Sequence, residues 1–378
     1  AKGLAAVEGV LGEALAKRRV TRLEHAQQRA LVTGTADWSG FRRADLVVEA
    51  VFEDLALKRQ VLADAERAAP GAVLATNTST IPIAAIAEGV GQPGRVVGMH
   101  FFSPVGKMPL LEVVRAPSTA PEAVSTAVAY GRRLGKTVIV VGDGPGFYVN
   151  RILAPYLNEA GWLFAEGVPI ERIDDALVGW GFPVGPFQLM DEVGLDVAAK
   201  AGAVVGDAFG ARMAPAPALR RVLQSGRPGR KGRQGFYKYD GDGKRQGVDP
   251  SVYALAQVTP AKPGAAAVAA GGAAAVTADD VVQRCVYPML DEAVRCLDDG
   301  VLALPRDGDV GAVFGIGYPP FRGGPFRTID ALGAAEVVRV LERLAMGHPG
   351  RFAPGAGLAA AAAEGRRFYP PPGTGGEA

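Results

Sequence analysis

Histidine and cysteine are scarce in this chain, and each scarcity excludes something. The two cysteines, Cys285 and Cys296, lie eleven residues apart in what reads as one helix. That separation disfavours a disulfide between them and matches no zinc spacing, so a reducing cytoplasm is the expected setting. The three histidines, His25, His100 and His348, are far apart in sequence, and metal-ligand spacing is absent. An excess of one charge is also missing: a formal charge of +2 gives no indication of nucleic acid or of an acidic membrane surface. No apolar run reaches membrane-spanning length and no signal peptide is visible. No G-x-S-x-G occurs, so hydrolase chemistry of that type lacks its nucleophile elbow. The one match to G-x-G-x-x-G, GVGQPG at 89–94, follows a helical pattern and precedes a strand. A phosphate-binding loop needs the opposite order, and the segment reads as an ordinary loop.

What is present is ample apolar material. Hydrophobic residues at 48% and charged residues at 21% of 378 describe a globular chain of two or three domains. Residues 3–18 have helical apolar spacing, and ALVTGTAD at 30–37 reads as a short strand. DLVVEAVFED, 45–54, has the continuous apolar core of a strand buried on both faces. ALKRQVLADAERAA then reads as a helix, AVLATNTST as a strand, PIAAIAEGV as a short helix and RVVGMHFF as a strand. A helix near 120–134 and the strand TVIVVGD follow. Strands alternating with helices predict a mostly parallel α/β sheet through about residue 143.

From Gly144 onward the pattern turns helical and repeats itself. RILAPYLNEAGWLFAEGV, 151–168, aligns without a gap on RCVYPMLDEAVRCLDDGV, 284–301, and GFPVGPFQLMDEVG, 181–194, is echoed by GYPPFRGGPFRTIDALG, 317–333. Two blocks in the same order mark an internal duplication of a helical domain. Between the copies AKPGAAAVAAGGAAAV, 261–276, reads as a linker, and YPPPGTGGEA at the end as an extended or disordered tail.

Three segments have the residue types for chemistry. In GMHFFSPVGKMPLLEVV, 98–114, a fold-back about Gly106 sets His100 opposite Glu112. A carboxylate there fixes one imidazole nitrogen and leaves the other to take a proton, the equipment of a general base. A satisfied core histidine is the competing reading. TNTST, 76–80, puts hydroxyls and an amide at a strand's carboxyl end, where open α/β sheets bind ligands; Ser79 or Thr80 capping the next helix is the alternative. In GDGPGFYVNRI, 142–152, Asn150 lies in an early helical turn, as a substrate contact or as a cap.

HFFSPV with Glu112 downstream, NTST upstream and PGFYVNR after it together resemble the 3-hydroxyacyl-CoA dehydrogenase family. The likeness runs from VVEAVFED through GPFQLMDEVGLD and GRQGFYKYD to GYPPFRGGPFR, and the duplicated helical half is similar to the multifunctional alpha subunit of bacterial fatty-acid oxidation complexes. The resemblance implies NAD-dependent oxidation of an L-3-hydroxyacyl-CoA to the 3-ketoacyl-CoA. It implies His100 as the base, Glu112 as its orienting partner, and Ser79 and Asn150 as substrate contacts. On the cofactor side it implies Glu53, Lys58, Ser103 (where the family often has Asn) and, more weakly, Lys231; for Glu53, Lys58 and Lys231 an ordinary solvated charge is the alternative. A thiolase beta subunit is the implied partner. A single-function 3-hydroxybutyryl-CoA dehydrogenase and a catalytically inactive assembly module remain the rival readings.

The expected fold is an α/β Rossmann-like domain whose first βα unit is missing, followed by two tandem, duplicated all-α domains. The domains expected are an incomplete NAD-binding domain at 1–143, a first helical domain at 144–260 and a linker at 261–277. A second helical copy at 278–368 and a disordered tail at 369–378 complete the division. The family's glycine-rich turn and the hydratase half of the multifunctional subunit are not in this sequence, which reads as a fragment of a longer protein. The second helical copy is expected to occupy internally the place that a partner subunit takes in dimeric relatives.

Overall fold

The computed structural model describes residues 2–261 and 272–370. It opens on helices α1 (Lys2–Ala16) and α2 (Arg22–Ala30), a hairpin with no buried residue. The sheet region then runs β1 (Leu46–Glu49), α3 (Leu55–Ala68), β2 (Val73–Thr76), α4 (Ile83–Ala87), β3 (Val96–Phe101), β4 (Leu110–Arg115), α5 (Pro121–Arg133) and β5 (Thr137–Gly142). The five strands lie in chain order; β1, β2 and β3 are parallel, β4 turns back antiparallel to β3, and β5 runs parallel to β4.

Alternate residues of these strands feed two cores. Ala75, Val97, Met99, Leu111 and Val113 pack beneath α5 through Ala123 and Ala127. Leu74, Val96, Leu110, Val114, Ile139 and Val141 face the other way, toward Leu62 of α3 and Ile83 and Ile86 of α4, in a core continuous with the helical half. Strands covered on both faces have little use for polar alternation, which is why β3 and β4 read as nearly unbroken apolar runs. Glu112 and His100 are the conspicuous exceptions.

Two expectations about strands are corrected. Residues 30–37 form no strand: α2 starts on a Thr21–Glu24 capping box, runs to Ala30 and gives way to exposed turns. Among the described residues no neighbouring strand is there to satisfy an extended backbone. The strand expected over 45–54 ends at Glu49, because the Glu49 carboxylate accepts the Val51 N–H at 2.6 Å and pulls the chain out of the sheet. Asp54 then caps α3. On its other side β1 has no strand partner among the described residues.

The helical half begins with α6 (Val149–Ala165), α7 (Ile170–Trp180), α8 (Pro186–Val193), α9 (Leu195–Phe209) and α10 (Pro217–Leu223). A small hairpin, β6 (Tyr237–Tyr239) and β7 (Arg245–Val248), and α11 (Ser251–Ala256) close that part. The second copy holds α12 (Ala278–Asp298), α13 (Pro305–Ile316), α14 (Pro325–Leu332), α15 (Ala334–Gly347) and α16 (Ala356–Glu364). Most of the segment expected to be a linker lies outside the described residues.

The duplication is carried by contacts as well as letters. Arg151 of α6 pairs with Glu292 at 2.6 Å and Asp299 at 2.5 Å, while its equivalent Arg284 of α12 pairs with Glu159 at 3.3 Å and Glu166 at 2.5 Å. Arg212 joins Glu292, and Arg351 joins Glu159 at 3.0 Å. Each copy lends its arginines to the other's glutamate, the reciprocal arrangement of a twofold interface. Within each copy a buried aspartate ties a helix start to a tyrosine. Asp174 accepts the Phe187 N–H and the Tyr237 hydroxyl at 3.0 and 2.9 Å, and Asp309 accepts the Phe326 N–H and the Tyr369 hydroxyl at 2.8 and 2.7 Å. Tyr369, assigned by sequence to a disordered tail, is therefore anchored as the counterpart of Tyr237. The Asp330 carboxylate also accepts the Tyr369 backbone N–H at 2.9 Å.

Burial pushes the carboxyls of Asp174 and Asp309 up, each to about 6, against the pull of the bonds they accept. A carboxyl that holds its proton more tightly folded than unfolded stabilises the fold below about pH 4, and that contribution is lost as pH rises through about 6. The full shift corresponds to at most about 3 kcal/mol per carboxyl. The double variant Asp174→Asn/Asp309→Asn is expected to lose less melting temperature than the unsubstituted protein between pH 4 and pH 7. Parallel thermal melts across that range check it.

Candidate active site

The register of β3 on β4 sets His100 directly opposite Glu112, as the fold-back about Gly106 predicts. The imidazole Nδ1–H donates to Glu112 Oε2 at 2.6 Å, with the histidine 5% and the glutamate 0% exposed. The second carboxylate oxygen accepts the Val149 N–H at 3.0 Å and the Tyr148 N–H at 3.3 Å, where α6 begins. A buried carboxylate stays charged only when donors replace its lost water, and these three N–H groups do so. With Nδ1 held, Nε2 carries the lone pair that takes a proton. The rings of Phe102 and Phe147 flank the imidazole at 4.4 and 5.7 Å between centroids. Gly146 and Phe147 both have left-handed backbone, φ +75° and +49°, and this turn aims the next two N–H groups at Glu112. For a phenylalanine that conformation costs roughly 1–2 kcal/mol and persists only where the surroundings impose it.

The residues of NTST gather beside this pair at the carboxyl ends of β1, β2 and β3. Asn77 Oδ1 accepts the Phe101 N–H at 2.9 Å, steadying the strand next to His100. Asn150, in the first turn of α6, donates from Nδ2 to the Ser79 carbonyl at 3.2 Å, so it bridges the loop and the helix. The capping reading of Ser79 and Thr80 does not hold. The start of α4 is capped by Asp143, which accepts the Ile83 and Ala84 N–H groups at 2.8 and 2.7 Å. Ser79 and Thr80 instead donate their N–H groups to Glu53 Oε1 at 3.2 and 3.3 Å, and the Thr78 hydroxyl joins them at 2.5 Å.

Glu53 and Lys58 are not free solvated charges. Lys58 is 1% exposed, and its ammonium reaches Glu49 at 3.0 Å and Glu53 at 3.3 Å. Glu49 also accepts the Thr76 hydroxyl at 2.7 Å. Burial raises the Glu53 carboxyl, but the Thr78 hydroxyl and the Lys58 ammonium outweigh it, and it ends below its ordinary range. Ser103 is exposed just beyond Phe102. Lys231 stands apart: its exposed ammonium pairs with Asp196 at 2.6 Å, and among the described residues it bonds none of the other candidates.

Reading the sequence missed Glu49 and Phe147. Glu49 left a signal, a carboxylate inside an apolar strand that has to find a cation, with Lys58 nine residues on. Phe147 left none, since nothing in its letter requires a left-handed backbone.

Comparisons with known proteins bear on this geometry. Residues 1–144 match the family model described as 3-hydroxyacyl-CoA dehydrogenase, NAD binding domain, and residues 146–239 match the model of the C-terminal domain. A fatty acid oxidation complex subunit alpha of Vibrio vulnificus (strain CMCP6) is 48% identical over 93% of this chain and 48% of its own length. That of Shewanella amazonensis is 48% identical over 95% of this chain and 50% of its own length. The chain thus spans about half the length of the curated relatives it matches. Among solved structures, a 3-hydroxybutyryl-CoA dehydrogenase of Escherichia coli K12 superposes with a TM-score of 0.81 at 25% identity, covering 96% of this chain and 90% of that one. The dehydrogenase part of multifunctional enzyme 1 from C. elegans gives 0.62 at 26% identity, covering 94% and 80%.

Removing the buried ammonium while leaving its carboxylates is expected to be costly. Lys58→Met should destabilise the protein by about 3–5 kcal/mol, the usual effect of stranding one member of a buried ion pair. Glu49→Gln combined with Lys58→Met should recover part of that loss. Chemical unfolding of the two variants beside the unsubstituted protein measures both.

Proposed function

This chain belongs to the 3-hydroxyacyl-CoA dehydrogenase family, and from that premise we propose that it oxidises an L-3-hydroxyacyl-CoA to the 3-ketoacyl-CoA, as part of a multifunctional fatty-acid oxidation subunit. The observation that carries the reading is the His100–Glu112 pair, a base with its tautomer fixed, at the end of the sheet where the polar loop collects. His100 Nε2 takes the proton of the substrate's 3-hydroxyl, and Glu112 stabilises the imidazolium that results. Ser79 and Asn150, already joined through the Ser79 carbonyl, supply a hydroxyl and an amide for the substrate oxygens. NAD, when bound, supplies the acceptor for the hydride that leaves C3.

The side chains present fit the nicotinamide end of that cofactor. Glu53 and Ser79 offer an acceptor and a hydroxyl at the carboxyl edge of β1 and β2, groups that suit ribose hydroxyls and a carboxamide, and buried Lys58 holds Glu53 in place behind them. Ser103, exposed beside Phe102, is assigned to the same cofactor face. For the pyrophosphate there is no matching loop among the described residues, since GVGQPG leads from α4 into β3.

The partner proposed is a thiolase beta subunit, and the compartment the cytoplasm, in keeping with two buried free cysteines. Among the described residues no helix is long and apolar enough to cross a membrane. One observation favours the second reading, a single-function 3-hydroxybutyryl-CoA dehydrogenase. The Escherichia coli 3-hydroxybutyryl-CoA dehydrogenase aligns with nearly the whole of this chain, so two helical copies do not by themselves exclude it.

His100→Ala in the full-length protein is expected to lower turnover of 3-hydroxyacyl-CoA by about 10²–10⁴-fold, the usual contribution of a general base. Glu112→Gln should also slow it while keeping the fold. NADH absorbance with short- and long-chain substrates reads the loss and separates the two readings by chain length. Unimpaired turnover by His100→Ala would end the assignment.

A further inference from the structure

Helix α13 belongs to the second copy, yet it lies on the sheet of the first domain, and it does so on glycine. Gly308, Gly311 and Gly315 fall on one face and are all buried. A glycine inside a helix costs about 0.5–1 kcal/mol relative to alanine, so three in twelve residues call for a reason. The reason is close approach. A β-carbon at Gly311 would stand 2.8 Å from Ile139 Cδ1 and 3.0 and 3.1 Å from the Tyr148 ring, and one at Gly315 would stand 2.8 Å from Leu110 and 3.0 Å from Val149 Cγ1. Gly308 would meet the Tyr148 hydroxyl at 3.0 Å.

Tyr148 and Val149 are the two residues whose N–H groups hold Glu112. Both are fully buried, so a push on either side chain has no empty space to absorb it. Their neighbour Phe147, in its left-handed turn, carries a ring against His100. The line of contact is therefore continuous from α13 to Tyr148 and Val149, then to Glu112 and the imidazole. We propose that Gly311 and Gly315 are positioning residues: their lack of side chains lets the second helical copy set where the start of α6 sits, and thereby how firmly Glu112 is held on His100. The proposal rests on the reading of His100 as the base. It gives the second copy a part in the active site without any of its residues touching the reacting atoms.

The test uses the full-length protein with Gly311→Ala, Gly315→Ala and, as control, Gly161→Ala. Gly161 lies on α6 about 18 Å along the helix from Val149, and an added β-carbon would meet Leu219 of α10 at 2.5 Å, a crowding of similar severity at the other end of that helix. Two quantities are read: kcat and KM for both substrates, and the far-downfield proton resonance of the short His100 Nδ1–H bond, identified by its loss in Glu112→Gln. Gly311→Ala and Gly315→Ala are expected to move that resonance upfield and to lower kcat roughly tenfold with KM nearly unchanged, as small misplacements of a catalytic group do. Gly161→Ala should leave the resonance and kcat as they were. Folded α13 variants with unchanged resonance and kcat would overturn the proposal, as would an equal effect in the control. Failure of both α13 variants to fold would also overturn it, because the contact would then serve stability and not position. If the unsubstituted protein turns over no hydroxyacyl-CoA, the functional reading falls, while a moved resonance still supports the positioning.

Discussion

The carboxylate of Glu112 is the group on which the architecture around the site depends. It is wholly buried, and three N–H donors from two different parts of the chain meet it: one imidazole from the neighbouring strand and two backbone amides from the start of α6. A charge in that position is tolerable only if all three arrive together. The antiparallel return of β4, the left-handed turn at Gly146–Phe147 and the seating of α6 against the sheet are the conditions for that meeting. The sheet and the helical half are thus joined at the same carboxylate, one oxygen on the imidazole and the other on the α6 amides.

A second charge system, buried at Glu49 and Lys58 and opening to the surface at Glu53, obeys the same rule. Glu49, Glu53 and Lys58 combine two carboxylates with one ammonium, and the shortfall of positive charge is met by hydroxyls and amides of Thr76, Thr78, Ser79 and Thr80. The NTST segment is consequently held by what it donates inward, and its shape is set before any ligand contacts it. That arrangement leaves the site preorganised.

How far the sequence announced this depends on how local each relation is. His100 and Glu112 were legible because twelve residues, one reversal and a twofold side-chain period are enough to set them face to face. The alternation of strands and helices, the antiparallel return aside, was legible for the same reason, as was the duplication. The supposed strand at 30–37 failed because extended backbone needs a neighbour, which composition does not reveal. Lys58 had only a cofactor-side place implied by the resemblance, with a solvated charge as the alternative; that it lies buried over Glu49 is a tertiary fact. Tyr369 looked like tail because its partner, Asp309, lies sixty residues earlier, on α13. Asn150 and Ser79 drew notice by their places at a helix start and past a strand end, with capping as the alternative; their junction is tertiary, and no local pattern shows it. Lys231, carried over on the weakest likeness, joins none of them.

The crossed arginine–glutamate pairs between α6 and α12 have a bearing on how such a protein changes over time. In a true homodimer every substitution appears twice, so an altered arginine strikes both halves of the seam at once. Here the two halves are separate stretches of one polypeptide, tethered at high effective concentration and indifferent to dilution. Each can drift alone. The two repeats already differ in this way: the first contributes the helix that begins at the sheet, and the second leans on that junction through the three buried glycines of α13.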